Sequence, residues 1–298
     1  LIAGFAQLFF QIPFLRSINL LPRPNLNSSH EGLIRIKELM VPALFGVSVT
    51  QINLLFDTFI ASLLITGSVS WLYFSDRLME LPLGIFGVAI AVVILPALSR
   101  KHAESSTKEF SETLDWALRL VCLIAIPSTI GLILLSEPLL ATLFQNENFS
   151  ADDVISASGS LRAYAFGLLA FMSIKVFSPG YFSRQDTRTP VRIGIIAMFL
   201  NMVMNIVFYL NGMAHVGLAL ATSIAAFVNA GLLFLGLVKE GVFSFQSGWV
   251  RYSIQLFFAN FILAIFLIYY SSELSIWLNW QAGTKIVQLG ILVLGGIA

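Results

Sequence analysis

Eight stretches of this chain, near 39–66, 69–98, 116–136, 154–178, 193–210, 216–238, 252–270 and 284–298, are apolar over most of their length. Each approaches the ~20 residues that a bilayer requires of a crossing helix. In lipid no water pairs with backbone amides, so such segments fold as helices or as closed barrels. The ten-residue alternation of a barrel strand is missing. The expected class is therefore all-α integral membrane, a polytopic helical bundle. Composition agrees: 57% of residues are hydrophobic and 11% charged, where a soluble domain has about a quarter charged. A net charge of +1 with no basic stripe excludes a strongly basic nucleic-acid binder. The single cysteine, Cys122, sits in an apolar run and reads as a small buried hydrophobe.

Both ends of the chain are apolar. LIAGFAQLFFQIPFL (1–15) is too short for a full span and lacks a basic lead, so it reads as the end of a preceding transmembrane helix. TKIVQLGILVLGGIA stops inside an apolar run, and a truncated last helix is expected.

Basic residues set the expected orientation. With 16–37 in the cytoplasm, all but three of the 17 basic residues fall on that side, in or beside the loops 16–37, 99–115, 179–192 and 239–251. Arg162 and Lys285 fall on the other side, with the acidic residues Glu137, Glu147, Asp152, Asp153 and Glu273, and Arg77 lies within a span. The stretch 102–120 reads as an amphipathic segment lying along the cytoplasmic interface before the third span turns inward. Trp277 and Trp280 suit an outer aromatic belt. Pro82, Pro96 and Pro127 lie inside spans, where each frees a carbonyl and favours a kink.

The second span carries three charges, Asp76, Arg77 and Glu80. Each costs about 2.5–3.5 kcal/mol at mid-membrane on insertion scales. At 100° per residue, Ser70, Tyr73, Asp76, Arg77, Glu80 and Gly84 share an arc of roughly 120°. A wet stripe backed by apolar residues is what a cavity-lining helix requires. Arg77 is the basic residue deepest in any span; its planar fork of donors suits phosphate and stays charged. The competing reading is an internal ion pair that holds helices together. The local charge sum of −1 is a poor lure for an anion, so other helices would have to add positive charge.

A second constellation consists of Asp57 with Asn53 in the first span, Asn201 and Asn205 four apart in the fifth, and Thr222 in the sixth. Oxygen ligands of this kind suit a hard cation such as sodium. Amides and hydroxyls inside membrane helices also form interhelical hydrogen bonds, the commoner role. His30, His102 and His215 lie in separate loops with no reason to converge. No Ser-His-Asp set, HExxH, P-loop or GxGxxG points to hydrolysis or nucleotide binding. DWALR (115–119) has no chemical reading.

Residues 51–100, QINLLFDTFIASLLITGSVSWLYFSDRLMELPLGIFGVAIAVVILPALSR, closely resemble the MurJ/MviN family of lipid II flippases. KVFSPGYFSRQDTRTPVRIGIIAMFLNMVMNIVF (175–208) is similar to a later signature of the same family. The resemblance implies the multidrug/oligosaccharidyl-lipid/polysaccharide (MOP) exporter fold: 14 helices, in two six-helix lobes around a central cavity plus a terminal pair. On that template 1–15 is the end of helix six, 16–38 a cytoplasmic linker, 39–238 the second lobe and 239–298 the terminal pair. The first lobe would be a missing partner.

The resemblance further implies transport of lipid II, undecaprenyl-pyrophosphate-linked disaccharide pentapeptide, from the cytoplasmic to the periplasmic leaflet of a bacterial inner membrane. Arg77 matches the family's cavity arginine of helix eight, and Asp76, Glu80 and Ser70 match polar cavity positions beside it. The other cavity arginines of the family lie mostly in the first lobe. The segments 252–270 and 284–298 would hold the polyprenyl tail. Asp57, Asn201, Asn205 and Thr222 resemble the sodium site of some members. Asn205 departs from that pattern, which has a carboxylate there, and the membrane potential is the other energy source. The expected protein is thus a transporter working by alternating access, not an enzyme, with membrane lipids and lipid II as partners, no nucleic acid, and no cofactor besides sodium. The alternatives are a related exporter of another lipid-linked oligosaccharide or drug, and a membrane-embedded polyprenyl-phosphate transferase.

Overall fold

A computed structural model describes residues 2–18, 20 and 31–297, with side chains between 31 and 50 described only in part. Among the described residues all regular secondary structure is helical apart from one bridge between Asn146 and Phe149. The first helices are α1 (Ile2–Ser17), α2 (Glu31–Ser62), α3 (Ser68–Pro82) and, after a π turn, α4 (Val88–Ala103). Next come α5 (Thr107–Leu134), α6 (Ser136–Leu143), α7 (Ala151–Phe166), α8 (Leu168–Phe182) and α9 (Arg188–Leu210). The last are α10 (Ala214–Lys239), α11 (Trp249–Tyr270), α12 (Leu274–Asn279) and α13 (Ala282–Ile297). Contacts divide the chain into two compact units, Leu1–Val41 and Pro42–Ala298. In the first, α1 places the Phe10 and Phe14 rings 5.3 Å apart.

Six helical segments among the described residues are long and apolar enough to cross a membrane: 68–103, 107–134, 151–182, 188–210, 214–239 and 249–270. A shorter apolar helix covers 282–297. The protein is a multi-pass membrane protein. Helix α2 begins at Glu31, several residues before the apolar run, so the end of the expected linker is helical. His30 and Arg23 lie outside the described residues.

Interruptions of the helices have local causes. Pro82 has no N–H to offer, and residues 83–87 form a π-helix closed by the Val88 N–H donating to the Leu83 carbonyl. Between α7 and α8 the chain breaks at Gly167, where a Cβ would lie 2.6 Å from Ser223 Oγ. Carbonyls around the break are satisfied by neighbouring helices: Ser223 Oγ donates to Ala163 O at 2.7 Å, and Thr129 Oγ1 donates to Ala165 O at 3.2 Å. Water could not do this inside a bilayer.

Two expectations are corrected here. The stretch 102–120 does not lie along the interface and then turn; α5 runs unbroken from Thr107, roughly 42 Å long. Phe110, Ser111, Leu114 and Asp115 on its first turns are buried in protein, so the amphipathic face packs on neighbours rather than on headgroups. Trp277 is not in an aromatic belt: it is fully buried, and its Nε1 donates to Thr142 Oγ1 at 3.0 Å.

The main core gathers Leu98 of α4, Leu114 and Val121 of α5, Leu161 of α7, Met172 and Val176 of α8, and Leu237 of α10. A second cluster joins Ile60 and Ala61 of α2 to Leu72, Ala163, Leu218 and Ala219. A third cluster, between α8 and α10, is made of Ala170, Ala226 and Ala230. Small residues let helices approach closely, the main source of attraction where lipid is as apolar as the side chains.

Candidate functional site

Helix α3 follows Gly67, at φ +102°, a backbone conformation that glycine enters without steric cost. A Cβ at this position would stand 2.7 Å from the Trp71 ring. Trp71 Nε1 donates to Asp153 Oδ1 at 2.7 Å, and its ring meets His215 with centroids 4.8 Å apart. Ser75 Oγ lies 2.7 Å from both the Trp71 and the Ala157 carbonyl. These contacts fix the rotation of α3 against α7. Arg77, two residues past Ser75, is then turned by roughly 200° to the opposite face.

On that face Ser70, Tyr73, Arg77 and Glu80 are exposed and Asp76 is half-buried. Arg77 Nη1 donates to Glu80 Oε2 at 2.7 Å, and the guanidinium stands 5.0 Å from the centre of the Tyr73 ring. About half of each charged side chain stays exposed, 54% for Arg77 and 47% for Glu80. Asp76 makes no hydrogen bond among the described residues. The four residues singled out in the sequence thus lie along one helix face, and Glu80 is the direct partner of Arg77. The pair is exposed rather than locked into a packed interior, so it leaves the guanidinium accessible to an oxyanion.

The second constellation is brought together from three helices. Asn53 Nδ2 donates to Asp57 Oδ2 at 3.1 Å, and Asn205 Nδ2 donates to Asp57 Oδ1 at 2.5 Å. Asn205 Nδ2 also donates to Asn201 Oδ1 at 2.9 Å, and Asn201 Nδ2 to Thr222 Oγ1 at 3.1 Å. With the Asn201 amide turned over, its nitrogen lies 3.0 Å from Asp57 Oδ1 and its oxygen accepts from Thr222 N and Oγ1 at 3.1 Å. Asn201 and Asn205 are buried, and Asn205 Oδ1 has no hydrogen-bond partner among the described residues. One carboxylate, three amides and a hydroxyl form a hydrogen-bonded cluster in which amide N–H groups neutralise Asp57; holding a hard cation would require the amides to turn their oxygens inward. The same contacts tie α2, α9 and α10 together. Among the described residues no group of three or more His, Cys, Asp or Glu side chains converges.

Some predicted residues have other roles. His102 lies in the last turn of α4 and His215 in the first turn of α10, not in loops. His215 is buried, with Nδ1 2.7 Å from Ser160 Oγ. Cys122 is half-buried and free. DWALR does carry a structural role. Asp115 is buried and accepts from Arg119 Nε at 2.8 Å, Gln246 N at 3.1 Å and Trp249 Nε1 at 2.6 Å. Arg119 returns a bond to Ser247 O at 2.9 Å, and Tyr252 Oη donates to Arg119 O at 2.6 Å. This network fastens α11 to α5. The available signal was the i, i+4 Asp115–Arg119 spacing, whose partners lie more than 120 residues away.

Comparison with known proteins follows the same lines. The family model described as lipid II flippase MurJ matches residues 1–288. The MurJ protein of Vibrio cholerae is 48% identical over 298 residues, covering 100% of this chain and 56% of its own length. Lipid II flippase MurJ of Burkholderia cenocepacia is 39% identical over 268 residues, 89% of this chain and 52% of that protein. Among solved structures, lipid II flippase MurJ in an inward closed conformation superposes with a TM-score of 0.72 at 24% identity, over 95% of this chain and 57% of that one. An outward-facing multidrug resistance MATE transporter of the MOP superfamily superposes with a TM-score of 0.61 at 17% identity, over 88% and 61%. At those identities the likeness is one of fold, and it bears out the all-α polytopic bundle expected from the sequence. The chain spans about half the length of the curated relatives it matches. By the match of its sequence over nearly its whole length, the chain belongs to the MurJ family.

Proposed function

We propose that this chain supplies the second lobe and the terminal helix pair of a flippase that carries lipid II from the cytoplasmic to the periplasmic leaflet of a bacterial inner membrane. The observation that carries the reading is the exposure of Arg77 within a membrane-crossing segment, on the face of α3 opposite its packing on α7. Against acyl chains such a cation is costly. Facing a wet cleft between two lobes it is free to form charge-assisted hydrogen bonds with a pyrophosphate. Glu80 orients the guanidinium, Asp76 stands beside it as a contact for the other lobe, and Ser70 lines the same cleft. Rocking of the lobes would expose the cleft to each leaflet in turn. The apolar faces of α11 and α13 would hold the polyprenyl tail in the membrane while the head group crosses. No bond is made or broken, so the protein acts as a transporter rather than as a polyprenyl-phosphate transferase.

The loops 16–37, 99–115, 179–192 and 239–251 would face the cytoplasm. Asp57, Asn53, Asn201, Asn205 and Thr222 would hold sodium, whose binding would supply a coupling charge inside the lobe. The orphaned Asn205 Oδ1 supports this, because an acceptor buried without a donor is costly unless a cation or water meets it.

The fold is also shared with multidrug exporters, which keeps a second reading open: a related exporter of another lipid-linked oligosaccharide or drug. The test is the affinity of the purified intact protein for lipid II and for a different glycan on the same polyprenyl pyrophosphate. Marked preference for lipid II is expected; equal affinity would support the other exporter.

A further inference from the structure

An open-sided cavity of about 680 Å³ lies among α8, α9 and α10, and most of its wall is apolar, with Phe171, Ile174, Val191 and Met198 among the lining residues. At one end it is lined by Thr187 and Pro190, at the turn between α8 and α9; at the other by Asn53, Asn201 and Thr222 of the polar cluster. Pro190 and Asn201 are separated by roughly 16 Å along a helix. The space therefore reaches from the end of the bundle to the cluster.

Its width comes from small side chains, Gly194 and Ala197 on α9 and Ala225 and Ala226 on α10. A Cβ added at Gly194 would meet nothing within 4 Å. Polar groups mark its length. Ser178 lines it from α8 and Asn229 from α10. Asn229 lies two turns from Thr222 on the same helix face, and its Oδ1 is buried without a hydrogen-bond partner among the described residues. An orphaned acceptor in a roomy cavity is a place for water. Lys175 lines the wall, exposed and without an ion pair among the described residues. Its charge disfavours a cation resting in the passage, while the Asp57 carboxylate favours one at the end.

We propose that this cavity is a water-filled passage by which a monovalent cation moves between the α8–α9 turn and the Asp57 cluster, with Asn229 and Ser178 as polar steps on the way. The proposal rests on reading that cluster as a cation site, and its test separates the two.

In the intact protein with its native cysteines replaced by serine, Ser178→Cys and Asn229→Cys are introduced singly. Inside-out vesicles are treated with a charged, membrane-impermeant methanethiosulfonate reagent. Both positions should react, and Gly194→Phe, which fills open space, should slow the reaction at Asn229→Cys severalfold while Gly194→Ala does not. Failure of both cysteines to react, or a rate indifferent to Gly194→Phe, overturns the passage whatever the cluster binds. Equilibrium binding of radioactive sodium is measured in parallel, with loss expected in Asp57→Asn. Reactive cysteines in a parent that binds no sodium, or whose binding survives Asp57→Asn, would instead overturn the cation reading and the passage's role with it.

Discussion

Trp249 and Asp115 are 134 residues apart in sequence, yet the indole Nε1 donates to the carboxylate at 2.6 Å. Asp115 is the shared acceptor for α11, the loop before it and Arg119. Removing it leaves three donors facing one another in a buried place.

Asp115→Ala should therefore destabilise the protein by about 2–4 kcal/mol, somewhat below the ~3–5 of a fully buried pair because Arg119 keeps 26% of its side-chain surface exposed. Asp115→Asn, which keeps one acceptor, should lose less. Thermal unfolding in detergent measures both, and proteolysis in the 240–248 loop should quicken in the alanine variant.

A second test concerns helix approach. Tyr181 Oη donates to the Leu233 carbonyl at 2.8 Å, and the added Cβ of Gly236→Ala would collide with that hydroxyl. The change should cost about 1–3 kcal/mol as overpacking. Gly231→Ala on the same helix meets nothing within 4 Å and should gain about 0.5–1 kcal/mol from helix propensity. Tyr181→Phe, which removes the obstructing oxygen, should recover part of the Gly236→Ala loss in a double-mutant cycle.

A third concerns pH. Asp186 precedes α9 and accepts from the backbone N–H of Arg188 at 3.1 Å and of Thr189 at 3.0 Å. Burial alone would push its carboxyl up, but the Thr189 and Arg188 hydrogen bonds and the nearby Arg184 charge outweigh it and hold the carboxyl below its ordinary value. A depressed carboxyl contributes stability above its unfolded value, near 3.9, and loses it as pH falls through the lower folded value. Hydrogen exchange at the start of α9 should therefore stay protected at neutral pH and loosen below about pH 4. In Asp186→Ala that protection should be weaker at neutral pH and lose its acid dependence.

Much of the bundle was legible because lipid imposes so narrow a rule: a long apolar run must be a helix. The same rule explains the misses. Hydropathy does not tell a protein-facing helix turn from a headgroup-facing one, so the start of α5 read as interfacial although Phe110 and Leu114 are core residues. Nor does it tell a Trp in a belt from one donating to Thr142, 135 residues away. The π turn after Pro82 depends on how carbonyls around a missing N–H are re-paired, which spacing alone leaves open. At the site, the Asn201–Asn205 spacing and the depth of Asp57 and Thr222 were visible, whereas the bond between Asp57 and Asn205 required the packing of α2 on α9. Asp115 was passed over because an acid outside an apolar run usually meets water; here two distant donors close over it.

The central claim is that the Arg77 guanidinium meets the substrate's pyrophosphate in a wet cleft. The most direct measurement is translocation of lipid II by the intact protein carrying Arg77→Ala, inserted in the membrane at the parental level. Translocation should be lost in Arg77→Ala and only partly kept in Arg77→Lys, whose point charge lacks the planar fork. Parental translocation by Arg77→Ala would contradict the account.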